Sequence, residues 1–366
     1  MNRTSLLAML SLLAATVMGI ANASAEEKFD TDPKHQLPRP DNQAADLQKP
    51  VKVFILMGQS NMVGMGEVGP ETTQGTLASL TKTDKRYLHL VDEAGLWTTR
   101  SDVRHVFTMF NRGSMQLVQN DWLTVKGKTI GPELQFGHIM GQVLEEPVLI
   151  LKTCIGNRSL GWDLLPPGSE RFTFEGKTYA GYKDDTPSWV EGEEKKPVPW
   201  YAGKQYDDDT ANAKKVLGEL SKYYPGAEKY EVAGFVWWQG HKDQNPAHAS
   251  RYEQNLVRLI QSLRQDFDAP KAPFVLATGC GNPGRSGLGL QIAEAQLAMN
   301  DAQKHPTFSG NVKCVDTRDF WREADVSPKA QDYHYNRNAE TYMEVGNALG
   351  WAMAELIRKS ILDQGH

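Results

Sequence analysis

The chain has 366 residues, with 40 Lys and Arg against 45 Asp and Glu, a formal net charge of −5 and a pI near 6.0. No basic block interrupts that balance, which argues against nucleic acid as a partner. Cys154, Cys280 and Cys314 are too few for a disulfide framework and allow at most one bridge with one free thiol. No CxxC or Cys/His spacing suits a metal, so neither a metal nor a cofactor is expected.

Residues 1–25 have the layout of a secretory signal peptide: basic Asn2-Arg3, apolar Leu6–Ile20, then the small-residue cleavage site Ala23-Ser24-Ala25. The apolar run is shorter than the ~20 residues of a spanning helix, and no later stretch approaches that length. The expected product is therefore secreted or periplasmic and free of the membrane once cleaved. Its oligomeric state is not legible in the sequence. Residues 26–50, with Pro38, Pro40 and Pro50, read as an extended linker ahead of one domain over 51–362.

Val51–Met57 is rich in β-branched and large apolar residues and ends at Gly58, the pattern of a buried strand stopping at a tight turn. Ser60 then stands at the carboxyl end of a strand, where open α/β sheets build their ligand crevices. Arg86–Asp92 and Leu96–Thr99 suggest a short hairpin, Pro132–Leu144 a helix, and Pro147–Thr153 a second strand. Residues 160–207 carry many Trp and Tyr among prolines and charges, which suits either a binding lid or a peripheral subdomain. Asp207-Asp208-Asp209 reads as a solvated helix start rather than a calcium site.

Beyond it, helices over Thr210–Tyr224, His248–Phe267 and Gly289–Gln303 alternate with strands over Val232–Trp238, Pro273–Thr278 and Val312–Asp316. A last helix follows Asn338, a natural cap. The alternation predicts an α/β fold, a three-layer α/β/α sandwich around a mainly parallel five-stranded sheet.

Four stretches fall at strand ends and can share one crevice: Gly58–Met62, Cys154–Gly161, Trp237–Asp243 and Asp332-Tyr333-His334. Acyl transfer needs a nucleophile, a base, a group orienting the base, and donors facing the oxyanion. Ser60, His334, Asp332, and the Ser60 and Gly156 backbone N–H groups with a side-chain amide supply that set. Gly156 suits the role because no side chain crowds its N–H. His89, His105, His138, His248 and His305 lack partners at metal spacing and read as surface or core groups. Gly279–Gly284 matches GxGxxG, but Asn282-Pro283 interrupts it and it follows the fourth strand, so a mobile rim loop is expected instead of a dinucleotide site.

The pattern resembles the SGNH (GDSL-like) hydrolases, in their sialate O-acetylesterase and acetylxylan esterase branch, carbohydrate esterase family 6. That branch carries G-Q-S-N-M, here Gly58–Met62, and a glycine loop after the second strand, here Gly156-Asn157. It carries W-x-Q-G-E-x-D, here Trp237–Asp243, and a histidine before the last helix, here His334. The resemblance implies a flavodoxin-like fold, Ser60 as nucleophile, His334 as base, and an oxyanion hole of Ser60, Gly156 and Gln239. Gln59, Asn61, Asn157, His241 and Asp243 become candidates for substrate contact or support.

Two positions depart from the branch. Its acid stands three residues before the histidine, where this chain has Gln331, so Asp332 competes with Asp325 and Asp243 as the orienting carboxylate. His241 replaces the branch's Glu, as a substrate contact or part of the wall. The implied activity is removal of acetyl groups from polysaccharide or sialic-acid-type sugars. The alternative is a carbohydrate-binding protein on a catalytically degraded esterase scaffold; a lipid or peptide ester as substrate fits the polar, Trp/Tyr-rich insertion less well.

Overall fold

The computed structural model describes residues 37–279 and 281–364. The signal-peptide stretch, the linker up to residue 36, Cys280 and residues 365–366 lie outside the described residues. A seven-stranded sheet forms the centre: β1 (Val51–Gly58), β2 (Thr99–Asn111), β3 (Ser114–Thr124), β4 (Val148–Thr153), β5 (Tyr230–Trp238), β6 (Phe274–Ala277) and β7 (Val312–Val315). Its order is β7-β6-β5-β1-β4-β2-β3, parallel throughout except for the edge hairpin β2–β3.

The five expected strands form one contiguous block of this sheet, and the hairpin adds two. That hairpin turns at Arg112-Gly113, both with positive φ (52° and 79°), the geometry of a two-residue turn. The hairpin expected over 86–99 is instead a 3₁₀ turn, Leu88–Leu90, and a single bridge between Val91 and Trp97.

Strand β1 shows why the sheet is covered on both faces. Val51, Val53, Ile55 and Met57 point into one core, while Phe54 and Leu56 point into the other. The first core is closed by α3 (Lys204–Gly218), α4 (Pro246–Asp266) and α5 (Gly287–Leu297). The second is closed by α2 (Glu133–Val143) and α6 (Ala339–Gln364), which follow α1 (Ser60–Val63) and end the chain's order of helices. Asn338 caps α6, its Oδ1 accepting the Glu340 N–H at 3.0 Å.

The three aspartates at the start of α3 do not form a solvated acidic cluster. Asp207 accepts the Tyr182 and Tyr201 hydroxyls, Asp208 pairs with Lys204, and Asp209 is buried against Gln205 and Thr153. Cys154 and Cys314 are free, buried thiols. Residues 172–189 add a small three-stranded sheet at the periphery. No described helix is long and apolar enough to cross a membrane.

Candidate active site

The parallel register places Gly58, Thr153 and Trp238 at one end of the sheet, with Gly58 directly opposite Trp238. A β-carbon on Gly58 would lie 2.2 Å from the Trp238 carbonyl oxygen, so only glycine lets β1 turn there against β5. The next residues close into the single turn α1, which begins with Ser60. Ser60 Oγ lies 2.8 Å from His334 Nε2, a nucleophile and base brought together from 274 positions apart.

All four strand-end stretches line one open cleft of about 830 Å³: Gln59 and Ser60, Gly156 and Asn157, His241 and Lys242, Tyr333 and His334. Lys242 and the histidines 241, 248 and 334 line it, and among the described residues no carboxylate does. His334 is half-buried, and burial first, then the neighbouring His241 and Arg337, push its pKa down to about 4. At neutral pH its imidazole is therefore uncharged and able to accept the serine proton. Burial, with a smaller contribution from Lys242, also lowers His241.

The turn that carries His334 has unusual backbone. Residues 334–337 have φ of 48°, 50°, 50° and 59°, four consecutive left-handed residues without a glycine. Each costs about 1–2 kcal/mol for an ordinary L-residue, so the surroundings must hold the turn in place.

The sequence profile described as "Carbohydrate esterase, sialic acid-specific acetylesterase" matches residues 50–355, a span that includes every cleft-lining block. The chain belongs to this family. A probable carbohydrate esterase of Arabidopsis thaliana is 30% identical over 99 residues, covering 26% of this chain and 33% of that protein. The match thus spans about a third of that curated relative's length. Among solved structures, a protein from Arabidopsis thaliana has a TM-score of 0.49 at 19% identity, covering 83% of this chain and 98% of that one. A carbohydrate acetylesterase from Xanthomonas citri has a TM-score of 0.46 at 13% identity, covering 82% of this chain and 55% of that one.

Several candidate residues of this family member do other work than the sequence suggests. Asp332 is exposed, and among the described residues no carboxylate hydrogen-bonds to His334. Asp325 is exposed as well. Asp243 is fully buried, with Oδ1 accepting the Gly161 N–H at 2.7 Å and Oδ2 accepting Leu160 N–H at 2.7 Å and Gln239 Nε2 at 2.6 Å. It shapes the loop that follows Gly156 and does not reach the base.

Gln239 is also buried, and its Nε2 is spent on Asp243, on the Arg158 carbonyl at 2.9 Å and on Gln59 Oε1 at 3.2 Å. With both amide protons aimed at protein acceptors, none is left for an oxyanion. Gln59 Oε1 in turn accepts from the Gly240 and Lys242 N–H groups, tying the first block to the third. Asn61 is buried with its Oδ1 3.4 Å from the Tyr342 hydroxyl. These three amides are the scaffold of the cleft.

Gly156 lies beside Ser60, where a β-carbon would be 3.5 Å from Ser60 Cβ. Asn157 beside it is exposed in the cleft. His248, read from sequence as a surface or core group, lines the cleft with Nδ1 3.3 Å from Asp243 Oδ1. Its closeness in sequence to the third block was the only available signal. Gly281 of the GxGxxG-like run lies against His241, and its carbonyl accepts the Tyr335 N–H at 3.2 Å, which makes the run part of the cleft's support. No residue of 160–207 lines the cleft; Trp189 sits under Arg171 and Lys195, and Trp200 under Arg158 and Lys204.

Proposed function

We propose that this chain is an exported carbohydrate O-acetylesterase that works through an acetyl-enzyme on Ser60. The observation that carries the proposal is the 2.8 Å contact between Ser60 Oγ and a neutral His334 Nε2 in an open, polar cleft. His334 takes the hydroxyl proton as Oγ attacks the ester carbonyl, and the protonated ring then returns it to the departing sugar hydroxyl. Water attacks the acetyl-enzyme with the same base, and acetate leaves. The Ser60 and Gly156 N–H groups face the developing oxyanion, with Asn157 as the side-chain donor in place of Gln239, whose amide is occupied within the protein.

Lys242, in a cleft that no described acidic side chain lines, suits a substrate carrying a carboxylate, such as a sialic-acid-type sugar. Acetate release from acetylated glycans, neutral and anionic, by wild type and by Ser60→Ala tests the reading. Release that vanishes in the variant is expected; equal release by both would remove Ser60 from the mechanism. The missing carboxylate on His334 favours a second reading, a carbohydrate-binding protein without turnover. Glycan binding with no acetate release, even from a small activated acetate ester, would establish that reading instead.

A further inference from the structure

His334 has to be aimed at Ser60, and no carboxylate does so among the described residues. The left-handed turn over 334–337 is closed by two short-range bonds, Asn336 N–H to the Tyr333 carbonyl at 3.2 Å and Asn338 N–H to the Tyr335 carbonyl at 2.9 Å. Of the four residues, asparagine and histidine adopt this backbone more readily than most; tyrosine and arginine do not. The turn is therefore held from outside, and the holders can be named.

Asn336 is buried, and its side chain spans three separate backbone points. Oδ1 accepts the Asp332 N–H at 3.0 Å and the Gln331 N–H at 3.2 Å, while Nδ2 donates to the Arg322 carbonyl at 3.1 Å. Tyr335 is wedged among Trp238, Trp321 and Tyr342, with ring centroids 5.4, 5.9 and 6.2 Å away. The Tyr342 hydroxyl lies 3.3 Å from the His334 carbonyl oxygen. The segment is thus pinned immediately before His334, at its own carbonyl, and immediately after it.

We propose that Asn336 is the positioning residue for His334, fixing the imidazole through its backbone in place of a carboxylate on the ring. Gln331, which stands where the related esterases carry their acid, is one of the two residues whose N–H Asn336 holds. The geometric demand on an acid at that position is met by a neutral amide acting on the main chain. This inference rests on the Ser60–His334 reading.

The test is steady-state hydrolysis of 4-nitrophenyl acetate by wild type, Ser60→Ala, His334→Ala, Asn336→Ala, Asn336→Asp and Asp332→Asn, with melting curves for each. Asn336→Ala is expected to lose about a hundred-fold in kcat with KM held within about twofold, because a base displaced by about an ångström loses the attack geometry. Asn336→Asp keeps the acceptor for Gln331 and Asp332 and should recover about a tenth of the wild-type kcat. A purely structural role would lower melting temperature without this split between kcat and KM.

An unchanged kcat in folded Asn336→Ala would overturn the proposal. So would a loss in Asp332→Asn as deep as that in His334→Ala, since a carboxylate would then be closing on the ring. If Asn336→Ala does not fold, Tyr342→Phe takes its place: a several-fold fall in kcat is expected, and an unchanged value would overturn the proposal. Wild-type rates in Ser60→Ala or His334→Ala would sink the Ser60–His334 reading itself, an outcome separate from the others.

Discussion

The chemistry of the cleft turns on how a histidine is kept neutral and where a proton can go. An unperturbed imidazole would lose its proton near pH 6.5, and activity would climb through that range. His334 is instead pushed down to about 4 by burial and by His241 and Arg337. The base is competent wherever it is neutral, so kcat/KM should stay level from pH 7 down to about 5 and fall only toward pH 4. A pH–rate profile with its acidic limb centred near 6.5 would show that the ring gains a negative partner in solution. Gly156→Ala probes the oxyanion side. The added methyl meets only Ser60, at Cβ 3.5 Å and Cα 3.9 Å away, ordinary contacts, so the variant should melt like wild type. Crowding the N–H should nonetheless cost about a hundred-fold or more in kcat, the usual cost of losing one oxyanion donor. Full activity in that variant would exclude Gly156 from the hole.

At the scale of elements, the strand ends are tied together from below. Lys152 of β4 is buried, its Nζ 2.9 Å from Glu133 Oε2 at the start of α2 and 2.8 Å from the Val63 carbonyl that ends α1. The ammonium therefore links the strand leading to Gly156 with the turn bearing Ser60. Removing one partner of a buried pair leaves the other charge uncompensated, so Lys152→Ala should lose about 3–5 kcal/mol of stability. Urea unfolding measures this, and a change within error would mean that the pair is solvated. The edge hairpin shows a different limit. Its strands were not read from the sequence because Arg100, Arg104 and His105 break the expected polar-out alternation. Arg100 and Arg104 are buried because Asp102 and Asn120 of the hairpin, together with backbone carbonyls at Gly141 and Tyr223 outside it, receive them.

Over the whole molecule, buried titratable groups oppose one another. His89 and His105 are pushed down to about 4 and His138 well below its ordinary value, each mainly by burial. Asp209 and Glu344 are pushed up to about 7, again mainly by burial. Unfolding below pH 6.5 lets the histidines take up protons and lets the two acids release them, so the effects on stability partly cancel. His138 is separable, because neither ring nitrogen has a partner and the ring packs on His89 with centroids 5.0 Å apart. His138→Phe removes two unsatisfied buried groups and should stabilise by about 1–3 kcal/mol. The folded-state pKa of His138 is depressed, so wild type loses stability as pH falls below 6.5 and the advantage of the variant should widen there. An advantage that is constant from pH 7 to 5 would mean that His138 titrates normally in the fold.

What the sequence determined by itself was whatever depends on local order along the chain. The apolar run of β1, the glycine that stops it, the serine beyond and the alternation of strands and helices are all consecutive residues, and short-range sterics and burial act on them directly. The two ends of the Ser60–His334 contact were legible for the same reason, each lying in a compact block. Only the tertiary structure decided the roles of the polar groups around them. Gln239, Asp243 and Asn336 could each serve substrate or scaffold, and the answer depends on which backbone groups from distant segments come within about 3 Å of their side chains. Asp332 makes no hydrogen bond to His334 for a related reason: its backbone is left-handed and its side chain is exposed, and no spacing in a sequence reveals the hand of a turn.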